Sequence, residues 1–411
     1  MENCLLWCKR TRTIYCLVLG LTLVVNCVLM SLLNSHVMSF LPVEHVVTSI
    51  KSGITADIHQ VETNHDLLLN SIPKTFTSGY MVYTCNNESS VQCGGWSDRL
   101  SGILSTFVIA LLTKQRFLIH HNHSFLLEEF LAPNEYDWRY NASISQKGNK
   151  ANYDLMNKDS KKAKKYLYGK KDLDKYFKSY VNLIHINWDF TEVFRARPHI
   201  GRDVPWITKW HYADIYKEVY NYLFKPSERL SRALNSQKRR RSKTACAHVR
   251  IGKSENLPDD PPRHRESLDT LWNVFDDLDE DVYDLFIATD DESLLKRASG
   301  RYPNQIIETD GQIGHIAKLK KGYNTEVSLK MFLDFYMLIN CDILILTESG
   351  FGMAAAYIRN TDSDLYCWRG PELKPCSRYT VHHMYEGMML APPGLFPHIT
   401  QISDKNKRKA L

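Results

Sequence analysis

"DLFIATDDESLLKRASGRYPNQIIET", residues 284–309, reads as a strand, a helix and a second strand in direct succession. The same grammar runs on both sides of it. "TACAHVRI" is a strand and "ESLDTLWNVFDDL" a helix ahead of it; "EVSLKMFLDFYMLINC" is a helix, "DILILTES" a strand and "GFGMAAAYIR" a helix after it. Strands joined by helices of this length pair in parallel, so the pattern predicts a doubly wound α/β sheet.

Working outward, "GYMVYTC" is strand-like and is followed by "GGWSDRLSGILSTFVIALLTKQRFLIHH". In that stretch a glycine pair precedes a helix with Leu100, Ile103, Leu104, Phe107, Ala110 and Leu111 on one stripe, and then the strand "RFLIH". This is the opening of a second βαβ unit. Roughly 330 residues remain from position 78 onward, more than one core usually holds. The expected architecture is two Rossmann-like lobes facing a cleft, residues 78–240 and 241–411, with a nucleotide at the carboxyl ends of the strands of the second. Residues 34–77 lack sustained periodicity and read as a stem.

The N-terminus places this body. An apolar run from Ile14 to Leu33 is long enough for one membrane-spanning helix, and Lys9, Arg10 and Arg12 precede it. Residues 1–12 are then a cytosolic tail, 13–33 a signal-anchor, and the body lumenal. A cleaved secretory signal, the other reading, has a shorter apolar core and delivers the body to the same side. Sequons at Asn87, Asn122 and Asn141 agree with that side. Of ten cysteines, Cys85 with Cys93 and Cys367 with Cys376 are the natural disulfide pairs, whereas Cys246 and Cys341 sit in apolar runs as small core residues. The net charge of +6 is modest, and the lysine-rich stretch 157–180 and the basic run 237–243 read behind a membrane anchor as solvated helix face and loop, not as a nucleic-acid surface.

Side chains just past strand ends project into the crevice of an open parallel sheet. Four such places carry complementary chemistry. Arg250, two residues beyond His248, offers a planar fork for phosphate oxygens. Ser349, Gly350, Phe351 and Gly352 open a helix whose free N–H groups attract an anion. Asp290 and Asp291 follow a strand as acceptors for guanine N–H groups or ribose hydroxyls, and the first lobe adds the loop Gly94 to Gly102. Each feature also has a plainer explanation: a salt-bridge pair for His-x-Arg, a helix cap for Thr-Asp-Asp, an ordinary helix start for Ser-Gly. Their recurrence at successive strand ends favours a nucleotide diphosphate site. A Walker A loop and a G-x-G-x-x-G after a strand are both absent from the sequence.

These motifs resemble those of the fucosyltransferases that make α-1,2-, α-1,6- and O-linked fucose. "HVRIGK" is similar to the first motif of that superfamily, "FIATDDESLLKRASGRYPN" to the second motif of the α-1,6 group, "LINCDILILTESGFGMAAAYI" to the third, and "GGWSDRLSG" to the first-lobe glycine loop. The resemblance implies a GT-B fold, GDP-fucose as donor substrate, inversion at the sugar carbon and no cofactor. By position it implies that Arg250 binds the departing phosphate. His248 and Gly252 shape the donor site, Asp290 or Asp291 holds the guanosine, and Ser349 to Gly352 meet the phosphates. Gly95, Asp98 and Arg99 close the site from the first lobe. Lys253 and Ile251 depart from the usual Asp and second Arg.

Breaking a sugar–phosphate bond leaves negative charge on the diphosphate, and the expectation is that Arg250 meets it without a metal. A base must also take the acceptor's proton; Glu255 and Asp259, with Asp260, are the nearest acids, and Glu255 is preferred. The sequence thus predicts a Golgi type II fucosyltransferase acting on a glycan or glycoprotein. The alternatives are a transferase for another nucleotide sugar and a catalytically silent, membrane-anchored glycan-binding protein.

Overall fold

Two parallel sheets, one from each half of the chain, organise the computed structural model of the protein. It describes residues 63–385 apart from 78, 87–92, 158, 168–170, 238, 256, 265, 320–323 and 360. The chain divides into Met1–Val61 and Glu62–Leu411, and every described residue belongs to the second unit. The expected tail, the span 13–33 and the sequon at Asn87 lie outside the described residues. No helix among the described residues is long and apolar enough to cross a membrane.

Strands β1 (Tyr80–Cys85), β2 (Arg116–His121), β3 (Leu131–Pro133), β4 (Lys150–Asp154), β5 (Val181–His185) and β6 (Phe224–Pro226) form the first half. Four of them make a sheet of order β2-β1-β5-β4 with every pair parallel, while β3 and β6 pair antiparallel beside it. The second half contributes β7 (Lys243–Val249), β8 (Tyr283–Thr289), β9 (Ile306–Ile307), β10 (Ile343–Leu346), β11 (Leu365–Arg369) and β12 (Glu372–Cys376) in the order β12-β11-β10-β7-β8-β9. Only the β11–β12 pair is antiparallel there. Central strands are buried along nearly their whole length, which is why they read as unbroken apolar runs and not as alternation.

The helices are α1 (Asn64–Ser71), α2 (Trp96–Leu112), α3 (Ser160–Leu167), α4 (Thr191–Arg195), α5 (Ile200–Asp203), α6 (Pro205–Lys209), α7 (Tyr212–Leu223), α8 (Glu228–Asn235), α9 (Asp269–Asp276), α10 (Glu292–Arg301), α11 (Thr325–Ile339) and α12 (Gly350–Ile358). α1 falls within the stretch read as stem. Thr63 caps it by accepting from the Asp66 N–H, and Leu68 is fully buried against the body, so ordered structure begins well before residue 78.

The two expected lobes are visible as two sheets, but one apolar cluster runs through both. Trp96, in the first turn of α2, packs edge-on against Phe332 of α11 with centroids 4.9 Å apart and against Phe335 at 6.3 Å. Burying an aromatic side chain of this kind contributes roughly 1.5–3 kcal/mol. The join between the halves is therefore core, not a solvent-filled hinge.

Three disulfides are present. Cys85–Cys93 and Cys367–Cys376 are the pairs expected from the sequence. The third corrects the reading of Cys246 and Cys341 as separate core residues: they are bridged, with Cα atoms 6.0 Å apart, tying β7 to the second residue past the end of α11. The basic run is also less free than expected. The N–H groups of Arg240 and Arg241 donate to the buried carboxylate of Asp284, at 2.8 and 3.0 Å, and the Arg241 guanidinium pairs with the same side chain at 3.1 Å.

Candidate active site

The order β12-β11-β10-β7-β8-β9 changes direction between β7 and β10, since β8 and β9 extend to one side of β7 and β10 to β12 to the other. A crevice opens outside the carboxyl ends of strands at such a switch. The residues that follow these two strands are Arg250 after β7 and Ser349 with α12 after β10. The backbone N–H of Arg250 donates to Thr347 Oγ1 at 2.8 Å, and that hydroxyl donates to the His248 carbonyl at 3.1 Å, which locks the two strand ends together.

Arg250 is held on two sides. Its Nη2 lies 2.5 Å from Asp260 Oδ2 and its Nη1 3.1 Å from Asp290 Oδ2. Asp260 in turn receives Lys318 Nζ at 2.8 Å. Burial pulls the Asp260 carboxyl upward, but the hydrogen bond from Lys318 and the charge of Arg250 outweigh it, leaving the group below the usual carboxylate range. A carboxylate so stabilised is a poor proton acceptor. Glu255 and Asp259, the acids chosen as bases from the sequence, are exposed on the same loop.

That loop is stitched shut. Arg263 N–H donates to the Ile251 carbonyl at 2.9 Å, His264 N–H to the Arg250 carbonyl at 3.0 Å, and Ser254 Oγ to the Asp290 carbonyl at 2.8 Å. Gly252 adopts a φ of +60°, and a Cβ there would fall 2.1 Å from the Pro261 carbonyl oxygen. Glycine is required at this position on both counts.

Both acids of the second motif have partners within the fold. The Asp290 carboxylate accepts from the N–H groups of Ile251 and Gly252, each at 2.8 Å, besides pairing with Arg250. It shapes the loop from within. Asp291 is the N-cap of α10, accepting from the Ser293 N–H at 2.9 Å, so the capping explanation holds for it.

His248 points under α12. A Cβ on Gly352 would fall 2.7 Å from His248 Nδ1, so the helix can approach the strand only with glycine there. The ring also packs against Phe351 at 5.4 Å. Burial, and behind it the Arg250 charge, push its pKa down to about 3, so the ring is neutral. Ser349 is the N-cap of α12, yet its side chain makes no capping bond, which leaves the first turn with free N–H donors beside Gly350.

From the first lobe, α2 brings Gly95, Ser97, Asp98 and Arg99. A Cβ on Gly350 would lie 2.5 Å from Ser97 Oγ, so the N-termini of α2 and α12 abut. Asp98 and Arg99 do not close the site as expected. Asp98 folds back to accept the Gly95 N–H at 2.7 Å as an internal cap. Arg99 is fully buried, bonded to His121 Nε2 at 2.8 Å and to the carbonyls of Gly94 and His123, and is a strut inside the first lobe.

The sequence reading missed His315 and Lys318. They lie on residues 310–319, which follow the end of β9, so the strand-end rule applied to one more strand finds them; β9 is only two residues long and offers a faint signal. Of the described sequons, Asn141 is exposed and Asn122 half-buried.

No model of a known protein family matches the sequence. Among solved structures, a mutant of Arabidopsis thaliana FUT1 in complex with GDP is similar at 13% identity, over 74% of each chain, with a TM-score of 0.49. The α-1,6-fucosyltransferase NodZ co-crystallised with GDP is similar at 11% identity, over 73% of this chain and 99% of that one, with a TM-score of 0.43. NodZ soaked with GDP-fucose gives 12% identity, the same coverage and a TM-score of 0.40.

Proposed function

We propose that this protein is a fucosyltransferase that moves L-fucose from GDP-fucose to a glycan hydroxyl, with inversion at the sugar carbon and without a metal. The four sequence motifs motivate the choice of sugar and nucleotide. The observation that carries the chemistry is the convergence of Arg250 and the uncapped first turn of α12 at the β7/β10 switch. Both are donors aimed at one crevice, and together they suit a diphosphate that gains negative charge as its bond to the sugar breaks.

Arg250 is pre-aligned by two carboxylates, so it meets the leaving phosphate with little reorganisation. His248, kept neutral by burial, packs beneath the helix terminus. As the sugar carbon departs from the phosphate oxygen, the acceptor oxygen bonds to its opposite face. The acceptor's proton passes to an exposed acid of the 253–260 loop, Glu255 before Asp259. The apolar run 14–33 and the sequons support a type II orientation in the Golgi membrane, with the body lumenal.

The test is the thermal midpoint of the purified full-length protein in EDTA with GDP, UDP, CMP and GDP-fucose, beside Arg250→Ala. A ligand at 100 times its Kd adds about 2.7 kcal/mol to the folded state. A shift with GDP and GDP-fucose alone, lost in the variant, supports the assignment. A shift with another nucleotide points to a different donor sugar, and none at all to a silent binding protein.

A further inference from the structure

The segment after β9 reaches across to the first lobe. Ser124 Oγ donates to the Ile316 carbonyl at 2.9 Å, and the Asn324 N–H donates to the Ser124 carbonyl at 3.1 Å. Immediately before the first of these anchors, His315 lies beside the N-terminus of α2, where a Cβ on Gly95 would come within 3.6 Å of its Cε1 and 3.8 Å of its Nε2. The ring, which is partly buried, lies in ordinary contact distance of that turn.

One ring nitrogen has a fixed role. His315 Nδ1 accepts from the Ala317 N–H at 3.2 Å, so in the neutral ring the proton sits on Nε2. Neutrality is maintained: burial, then the charge of Arg250, hold the ring's pKa down to about 4, against the opposing pull of Asp260 and Asp290, with Lys318 adding to the effect of Arg250. Nε2–H is thus a donor beside the N-terminus of α2 and near enough to Arg250 to feel its charge, and it has no partner among the described residues. Asp98 and Arg99 were expected to supply such a contact, and both are turned to other work.

We propose that His315 is a substrate-contacting residue whose Nε2–H donates a hydrogen bond to the diphosphate of the bound nucleotide, beside Arg250. The inference rests on the donor assignment proposed above and adds a residue to it. No proton is transferred: the sugar carbon–oxygen bond breaks with its electron pair going to the phosphate oxygen, and Nε2–H stays on the ring while its hydrogen bond strengthens. A neutral donor fits this place, because a third cation beside Arg250 and Lys318 would repel both.

The experiment measures GDP affinity by calorimetry on the purified full-length protein, comparing His315→Ala, His315→Gln and His315→Phe with the native chain and with Arg250→Ala. A hydrogen bond to a charged acceptor of this kind corresponds to roughly tenfold or more in affinity. The expected result is at least a tenfold loss in His315→Ala and His315→Phe, with most of the affinity restored in His315→Gln, whose amide N–H can stand in for Nε2–H. Native affinity in His315→Phe means the ring acts by shape alone and overturns the proposal, as does an equal loss in all three variants, which marks a structural role. Should the alanine variant fail to fold, the Gln and Phe pair decides. If the native chain does not bind GDP, or Arg250→Ala binds it equally well, the donor assignment itself has failed, an outcome distinct from native-like binding by the His315 variants.

Discussion

Asp290 pairs with Arg250 at 3.1 Å and, through the same carboxylate, holds the N–H groups of Ile251 and Gly252, so the residue just past β8 sets the conformation of the chain leaving β7. Removing it strips a partner from a mostly buried cation and takes an acceptor from two amides. Asp290→Ala is expected to cost about 3–5 kcal/mol in a urea unfolding midpoint and to abolish the stabilisation by GDP. Asp290→Asn, which keeps one acceptor oxygen, should fall between.

Gly352→Ala tests the closeness of α12 and β7. The added methyl meets His248 Nδ1 at 2.7 Å, and neither the buried ring nor the helix has room to yield. Overpacking of this kind costs typically about 1–3 kcal/mol. The expected outcome is a lower thermal midpoint together with weaker GDP binding, because the displaced element is the helix whose first turn faces the crevice.

Stability should decline on mild acidification. His248 and His315 have folded-state pKa values of about 3 and about 4 against 6.5 for a free ring. Between pH 6.5 and 4 the unfolded chain therefore binds more protons than the folded one, and stability is lost as the pH falls through that window. At about 1.4 kcal/mol per unit the contribution over that window is on the order of 3 kcal/mol per ring. Burial raises the carboxyls of Asp189 and Asp334, which act in the opposite sense, so the measurement is a difference. The slope of thermal midpoint against pH should flatten in His248→Asn and His315→Gln relative to the native chain.

The bridge between Cys246 and Cys341 is expected as a cross-linked peptide in a non-reducing digest. Its sequence separation is 95 residues. Constraining a loop of that size in the unfolded chain contributes up to about 4–5 kcal/mol in the chain-entropy treatment. Cys246→Ala with Cys341→Ala should lower the urea midpoint accordingly while leaving GDP selectivity unchanged.

The second sheet was legible because its strands are buried on both faces and its helices are long enough to declare their period. β10 falls within the run "DILILTES", and β7 and β8 begin one residue ahead of the runs "TACAHVRI" and "DLFIATDD" and end inside them. The first sheet was half legible. β4 reads "KANYD" and is partly exposed, and β5 reads "VNLIH" with a polar residue within it, so neither announced a strand amid lysines and tyrosines. At the site, Arg250 and the start of α12 stand where strand ends place them. The partners of Asp290 and Arg99 were not legible for one physical reason: an acid or a guanidinium near a crevice can as readily satisfy neighbouring main chain, and only three-dimensional neighbours tell which. The partners of Asp290 are 38 and 39 residues away in the chain, and those of Arg99 lie mostly on the next strand and loop.

The aromatic contacts at the join between the sheets bear on how such a site changes over time. Trp96 touches Phe332 and Phe335, Phe335 packs on Phe351 at 5.3 Å, and Phe351 on His248. Four elements that frame the crevice are thereby spaced by interior side-chain volumes and not by surface loops. The spacing of those elements is an inherited dimension of the core, adjustable only by substitutions that also trade against folding stability. The exposed acids of the 253–260 loop carry no such toll, so the rim can drift while the frame of the crevice stays fixed.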